Sequence, residues 1–215
     1  MVAKQEFRKE LLRWFDINGR SFPWRRDGLS LYEVLVTEIL LWKTRAETIA
    51  EFFPRFFAAF PDEHSLISGS MGNLIAMIKN LGLQNRRAKM LRRIATGNFD
   101  EKITDEKTFR KMFGVGQYIS RATLAIHYGV KVIPVDENIR RLLERIFDFK
   151  IKNVRAISVD EDEFLSSLSV KDEHKKFIWA MIDYSSTICK RDNPICDDCR
   201  FNRYCQYFFR RSYDV

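Results

Sequence analysis

The first 188 residues of this 215-residue chain contain no cysteine, and all four cysteines lie between residues 189 and 205. Cysteines confined to one short segment cannot cross-link a fold of this size, which excludes a disulfide framework. No stretch approaches the ~20 consecutive apolar residues of a membrane-spanning helix. The N-terminal sequence MVAKQEFRKELLRWF also lacks the apolar core of a signal peptide. We therefore expect an intracellular, cytoplasmic protein with no membrane partner.

Helix-breaking residues are scarce as well, with 5 prolines and 9 glycines. The long segments between them repeat apolar residues with a period near 3.6, and none alternates with a period of two for long enough to be a strand. These patterns predict an all-α fold built from many short helices. The predicted helices span residues 5–16, 31–41, 46–60, 71–79, 86–96, 105–112, 117–128, 137–147, 161–168 and 172–187.

Basic residues exceed acidic residues, 37 to 29, which gives a net charge of +8 and an isoelectric point near 9.4. An excess of this size favours an anionic partner, of which nucleic acid is the commonest. A soluble enzyme that is merely basic remains the alternative at this point.

The cysteines follow the pattern C-x6-C-x2-C-x5-C, formed by Cys189, Cys196, Cys199 and Cys205. Four thiolates in one loop suit either tetrahedral zinc or an iron–sulfur cluster. Only the central pair has the short spacing typical of zinc modules. The wider outer spacings favour a [4Fe–4S] cluster, with zinc as the alternative.

The segment Phe113-Gly114-Val115-Gly116-Gln117 lies between a charged predicted helix and an apolar one. Glycines in such a turn permit positive φ and let a phosphate approach the bare backbone. The dipole of the following helix also favours an anion at this point. An ordinary helix–helix turn is the alternative.

Asp136 stands immediately before a predicted helix with a regular apolar face. Aspartate is a favoured N-cap residue, and that role alone would explain its position. A carboxylate at the mouth of a cleft could also stabilise a cationic sugar or activate a water molecule.

Taken together, the glycine turn, the aspartate about 20 residues later and the cysteine pattern resemble the helix-hairpin-helix (HhH-GPD) DNA glycosylases of the endonuclease III superfamily. The resemblance runs from Phe22 to Cys205. It implies two helical lobes with a cleft between them. Residues 25–132 would form a six-helix barrel that contains the hairpin at about 106–128. Residues 1–24 and 133–215 would form an iron–sulfur domain with its cluster loop at 189–205.

The same resemblance implies roles for individual residues. Asp136 would be the catalytic aspartate, and Gly114, Gly116 and Gln117 would bind the DNA backbone. Bifunctional members carry a lysine where this chain has Tyr118, so the resemblance implies a monofunctional enzyme with at most weak AP-lyase activity. The other implied DNA-binding residues are Trp42 and Lys43 at one wedge, Gln84 and Asn85 at a second wedge, and Lys190 and Arg191 beside the cysteines.

The segment from Thr37 to Thr44 is similar to the mismatch-specific branch, which contains the adenine glycosylase MutY and the archaeal thymine–guanine mismatch glycosylases. In that branch a glutamate at the place of Glu38 reaches into the base pocket, although a buried structural acid is the alternative. The run Gly82-Leu83-Gln84-Asn85 resembles the thymine–guanine enzymes more. The sequence ends ten residues after Cys205, so we expect no domain of the kind with which MutY senses 8-oxoguanine.

The sequence therefore predicts a monomeric, nucleoid-associated DNA base-excision repair glycosylase that binds double-stranded DNA containing a mismatch. It would flip the mismatched base, which we expect to be thymine or uracil opposite guanine, and hydrolyse its N-glycosidic bond, with Asp136, Glu38 and Tyr118 at the catalytic site. One alternative is an adenine glycosylase that acts on A:G or A:8-oxoguanine pairs. An alternative of another class is a non-enzymatic iron–sulfur protein that binds DNA or senses redox state.

Overall fold

A computed structural model of the protein describes residues 4–99, 102–169 and 172–213, and these residues contain helices and turns but no strand. The prediction of an all-α fold is confirmed. The α-helices of these segments are α1 (Lys4–Asn18), α2 (Leu31–Leu41), α3 (Ala46–Ala59), α4 (Glu63–Ser68), α5 (Met71–Ile78), α6 (Gln84–Ala95), α7 (Glu106–Phe113), α8 (Gln117–His127), α9 (Glu137–Phe147), α10 (Val159–Leu168), α11 (His174–Thr187) and α12 (Gln206–Tyr213).

Helices α4 and α12 lie in segments where the pattern predicted no helix. Helix α4 contains 6 residues, which is too short for a 3.6-residue repeat to stand out. The start of α4 does carry a local signal, a reciprocal capping box between Asp62 and Ser65. The Ser65 amide donates to Asp62 Oδ1 at 2.7 Å, and the Asp62 amide donates to Ser65 Oγ at 3.2 Å.

The chain divides into two compact units. The internal unit is Ser21–Val130 and contains α2 to α8. The terminal unit combines Met1–Arg20 with Lys131–Val215 and contains α1 and α9 to α12.

Helix α2 is the central element of the internal unit, because every residue from 31 to 40 except Glu33 is buried and the helix packs against α3, α6 and α8. A helix that is apolar on every side is stable only inside a core. A capping box between Ser30 and Glu33 fixes its start. The Tyr32 hydroxyl donates to the Phe60 carbonyl at 2.9 Å, which ties α2 to the end of α3.

The terminal unit is built on contacts between segments far apart in sequence. The ring of Phe7 on α1 lies 5.1 Å from that of Phe147 and 6.1 Å from that of Phe177, between centroids. Asp183 on α11 is fully buried and accepts from the Arg20 backbone amide and from its Nε, both at 2.8 Å. Because a buried carboxylate is costly unless it is paired, this contact holds the first segment against α11.

Candidate nucleic-acid interface and cysteine centre

The glycine turn forms a tight hairpin in which α7 ends at Phe113 and α8 begins at Gln117. Gly114 has φ +64°, a left-handed conformation that residues with a Cβ adopt only at a cost. Gly116 instead has φ −77° and is the N-cap of α8, where it offers no side-chain hydrogen bond. A Cβ on Gly116 would meet nothing within 4 Å. Gly114 is thus needed for the turn, whereas Gly116 leaves space beside the helix N-terminus.

An ion pair holds the two helices of the hairpin together. Arg121 of α8 is buried and donates from Nε to Glu106 Oε2 of α7 at 2.8 Å. Arg93 of α6 lies against the turn and donates to the Lys111 carbonyl at 3.3 Å. These contacts hold α8 and α6 against α7.

Two of the predicted site residues lie on that first turn. The side chain of Gln117 is buried, so the group it can offer to a partner outside the protein is its backbone amide. Tyr118 is half-buried and follows directly. Both residues therefore lie at the hairpin, as their sequence positions require.

Glu38 is the one acidic residue within the buried stretch of α2, and only 9% of it is exposed. Its helical neighbours Leu35 and Ile39 are fully buried. A carboxylate in such surroundings needs specific partners to remain charged.

The two predicted wedges are turns of the internal unit. Lys43 is exposed at the end of α2 and has φ +55°, while Trp42 beside it is half-buried. In the second wedge Gln84 is half-buried at the start of α6 and Asn85 is exposed. Sequence reasoning passed over Leu83, which is 45% exposed and has φ +52°. An exposed leucine on left-handed backbone is the feature that singles it out, and the sequence carries no signal for that conformation.

Asp136 is the N-cap of α9 in the terminal unit. Its Oδ1 accepts from the backbone amides of Asn138 at 2.9 Å and Ile139 at 2.8 Å, and its Oδ2 accepts from Asn138 Nδ2 at 3.1 Å. The capping role expected from the sequence is therefore present. These bonds also fix the orientation of the carboxylate, which is half-buried.

The four cysteines line one cavity of the terminal unit. Its other walls are largely apolar and include Leu142, Ile146, Ile188, Pro194 and Ile195. The Tyr184 hydroxyl donates to Cys199 Sγ at 3.2 Å, and the Arg145 guanidinium donates to Cys189 Sγ at 3.6 Å. Two of the sulfurs thus accept hydrogen bonds from side chains of α9 and α11.

Burial raises the pKa of the Cys199 thiol, and it raises the pKa of Cys205 to about 11. These sulfurs therefore need a cationic centre if they are to act as thiolates near neutral pH. Within residues 4–99, 102–169 and 172–213, no group of three or more His, Cys, Asp or Glu side chains is arranged to hold a metal ion. The shared apolar cavity and the hydrogen bonds to sulfur nevertheless fit a thiolate-held iron–sulfur cluster.

Lys190 and Arg191 follow the first cysteine and are both exposed. Their backbone carbonyls accept from Arg145 at 2.7 and 3.2 Å, which secures the backbone beneath the two exposed cationic side chains. Among the helices described, none is long and apolar enough to cross a membrane.

The sequence of this chain is similar to those of known DNA repair proteins. A family described as "HhH-GPD superfamily base excision DNA repair protein" matches residues 36–157. A thymine/uracil-DNA glycosylase of Methanothermobacter thermautotrophicus is 26% identical over 97% of this chain and 96% of its own length. An adenine DNA glycosylase of Mycobacterium tuberculosis is 27% identical over 88% of this chain and 64% of its own length.

A similar solved structure is that of a thermostable thymine-DNA glycosylase. It superposes with a TM-score of 0.87 at 26% identity and covers 96% of this chain and 97% of its own. The family resemblance inferred from the cysteine pattern and the glycine turn is therefore confirmed.

Proposed function

We propose that this chain, which belongs to the HhH-GPD superfamily of base excision DNA repair proteins, is a DNA glycosylase. Its substrate would be thymine or uracil opposite guanine. The alignment with a thymine/uracil-DNA glycosylase, which spans 97% of this chain at 26% identity, supports this choice of base. The observation that carries the proposal is the hairpin, because the space beside Gly116 leaves the start of α8 open to an anion.

The hairpin would bind a DNA phosphate through backbone N–H groups at the start of α8, helped by the positive end of the helix dipole. Such a contact reads no base, which suits an enzyme that must act wherever damage occurs. Lys190 and Arg191 would add sequence-independent attraction to the DNA backbone.

The glycosidic bond of a base inside a duplex is out of reach, so the target nucleotide must be flipped out. A mismatched pair costs less to open, which supplies part of the selectivity. Trp42 and Lys43 on one turn, and Leu83 and Gln84 on the other, would fill the space left behind. Leu83 suits this role because apolar side chains insert between base steps.

Cleavage of the bond between C1′ and the base nitrogen develops positive charge on the sugar, as in other glycoside hydrolyses. The carboxylate of Asp136 would stabilise this charge and orient the attacking water. Its three hydrogen bonds from Asn138 and Ile139 support the role, because they hold the carboxylate in one orientation. Glu38 would hydrogen-bond or protonate the departing base.

We propose a monofunctional reaction that leaves an abasic site. Tyr118 follows the hairpin at the start of α8, and a phenol cannot form an imine with the deoxyribose. It would instead contact the sugar or form part of the pocket wall.

We also propose that Cys189, Cys196, Cys199 and Cys205 hold a [4Fe–4S] cluster. When bound, the cluster supplies iron–thiolate bonds that tie residues 189–205 together and a centre that can exchange an electron. Tyr184 and Arg145 would stabilise the thiolate forms of two of these cysteines by hydrogen bonding. The apolar wall would exclude water.

A second candidate is adenine excision, which the 27% identity to an adenine DNA glycosylase over 88% of this chain favours. Single-turnover assays on T:G, U:G, A:G and A:8-oxoguanine duplexes separate the two. We expect release of thymine and uracil, with strand breaks only after alkaline treatment, from a protein that acts as a monomer. Preferential adenine release would favour the second candidate. Tight duplex binding without an abasic product on any pair would instead indicate a non-enzymatic DNA-binding protein.

A further inference from the structure

Two turns of the internal unit share an unusual backbone feature. The first turn, residues 42–44, passes through left-handed backbone at Lys43, with φ +55°. The second turn, residues 81–84, does so at Gly82 and Leu83, with φ +74° and +52°. Side chains with a Cβ adopt this conformation at a cost, so Lys43 and Leu83 need surrounding contacts that hold them there.

Arg87 of α6 supplies contacts to both turns and is fully buried, with 0% exposure. Its Nη1 donates to the Leu81 and Gly82 carbonyls, both at 3.2 Å. Its Nη2 donates to the Trp42 carbonyl and, at 3.0 Å, to Thr44 Oγ1. One planar guanidinium therefore spans four oxygen acceptors, two on each turn.

Two further contacts join the same turns. The Thr44 hydroxyl lies 3.3 Å from the Leu81 carbonyl, and the guanidinium of Arg86 lies 4.7 Å from the centroid of the Trp42 ring. The Thr44 hydroxyl also accepts from Arg87, so its contact with Leu81 belongs to the same network. The two turns therefore form one connected unit, which we call the paired turns (residues 42–44 and 81–84).

The hydrogen bonds described for the buried Arg87 cation go to carbonyls and a hydroxyl, which are neutral acceptors. Burying a charge among neutral groups costs free energy. Burial lowers the pKa of Arg87 from its ordinary value, which reflects that cost. A shorter apolar residue could fill the space at lower cost, but it would leave buried carbonyls without donors. Arginine is the side chain whose fixed fork can satisfy acceptors on two separate segments at once.

We propose that Arg87 is a positioning residue that locks the paired turns together, so that Lys43 and Leu83 enter a DNA duplex as one rigid element. The proposal rests on the proposed function, since it assigns these two exposed side chains to the space left by a flipped base. Arg87 touches neither DNA nor the reacting atoms in this scheme. It acts through the backbone carbonyls that it holds.

The experiment uses Arg87→Lys in the full-length protein, because lysine keeps the charge and most of the volume but cannot span four acceptors. Lys89→Arg is the matched control, since Lys89 is an exposed cation on the same helix and this change keeps its charge. Each protein is tested for single-turnover excision on a T:G duplex and for affinity for a fully paired duplex. Amide hydrogen exchange is measured in residues 42–44 and 81–84.

We expect Arg87→Lys to raise exchange in both turns together and to slow excision by about 10- to 100-fold, as small misplacements near a reacting centre do. Affinity for the paired duplex should stay within about twofold, because that binding depends on charge, which the variant retains. A role for Arg87 in overall stability alone would raise exchange across the whole internal unit. Lys89→Arg should match the wild type in all three measurements.

Wild-type exchange in either turn of the Arg87→Lys variant, or an unchanged excision rate, would overturn the proposal. If the wild-type protein excised no base from any mismatch, the proposed function would fail. The exchange measurement would then still decide whether Arg87 couples the paired turns. The two failures are therefore distinguishable.

Discussion

Replacing Gly116 with alanine would add one methyl group beside the N-terminus of α8 without a conflict inside the protein. Gly116 has φ −77°, and a Cβ there would meet no heavy atom within 4 Å. Alanine restricts the unfolded chain, which raises stability by about 0.4–1 kcal/mol, but it is a poorer N-cap than glycine, which lowers stability by an amount on the order of 1 kcal/mol. The two effects largely offset each other, so we expect the Tm of a chain of this size to change by less than roughly 4 °C.

The same methyl group would stand where, in the proposed mode of binding, a phosphate approaches the backbone amides of α8. Loss of one hydrogen bond to a charged group costs about 1.5–3 kcal/mol. This corresponds to a loss of DNA affinity of about 10- to 100-fold. Gly116→Ala should therefore separate DNA binding from folding.

Gly114→Ala is the matched comparison and should give the opposite result. Gly114 has φ +64°, and a Cβ there would lie 3.0 Å from Cγ and Nε of Arg93. Left-handed backbone costs alanine roughly 1–2 kcal/mol. We expect the Tm to fall by about 2–8 °C for a chain of this size.

Thermal unfolding and fluorescence anisotropy with a labelled duplex at fixed salt test both variants. Normal DNA affinity in a fully folded Gly116→Ala protein would refute the assignment of a phosphate to this turn. A fall in the Tm of that variant by more than roughly 4 °C would show that the protein itself needs the space beside Gly116.

Other substitutions test the remaining parts of the site. Asp136→Asn should slow single-turnover excision by about 10²–10³-fold and leave stability nearly unchanged because asparagine is also a good N-cap; equal turnover would remove Asp136 from catalysis. Replacing Lys190 and Arg191 with alanine should weaken binding to all duplexes alike and reduce the slope of log affinity against log salt by roughly 2; a loss confined to one sequence would contradict a phosphate contact. Purified protein should contain about four iron and four sulfide per chain, and Cys199→Ser should lower both; zinc without sulfide would exclude the cluster. Burial lowers the pKa of His174, so the unfolded chain binds that proton more tightly and stability falls as the pH drops below about 6.5; calorimetry of His174→Gln should show a smaller fall, and an identical pH profile would contradict this.

Features that depend on near neighbours in sequence could be predicted well. The helical repeat located α2 at residues 31–41 and α9 at residues 137–147, and both begin and end there in the structure. The glycine turn could be identified because glycine marks sites of special backbone geometry. Short helices such as α4 escaped detection because six residues contain fewer than two turns.

The exposure of Leu83 and the burial of Arg87 could not be predicted from local sequence patterns. A leucine in an apolar stretch predicts core, yet Leu83 is exposed because α6 begins immediately after a left-handed turn. An arginine in the basic run of α6 predicts a solvated surface, yet Arg87 is fully buried. The burial of Arg87 depends on the turn at residues 42–44, which lies about 40 residues earlier in the chain and accepts hydrogen bonds from its guanidinium.

The sequence by itself determined the helical class, the family and the identity of the four sulfur ligands proposed for the cluster. Each of these depends on residue type and local spacing, which are present before the chain folds. Only the tertiary structure decided that Gly114 adopts left-handed backbone while Gly116 leaves space beside α8. It also decided that the cysteines share an apolar cavity and that one buried arginine joins two distant turns. Such features arise when separate segments supply hydrogen-bond partners and packing surfaces to each other, and no local pattern encodes those pairings.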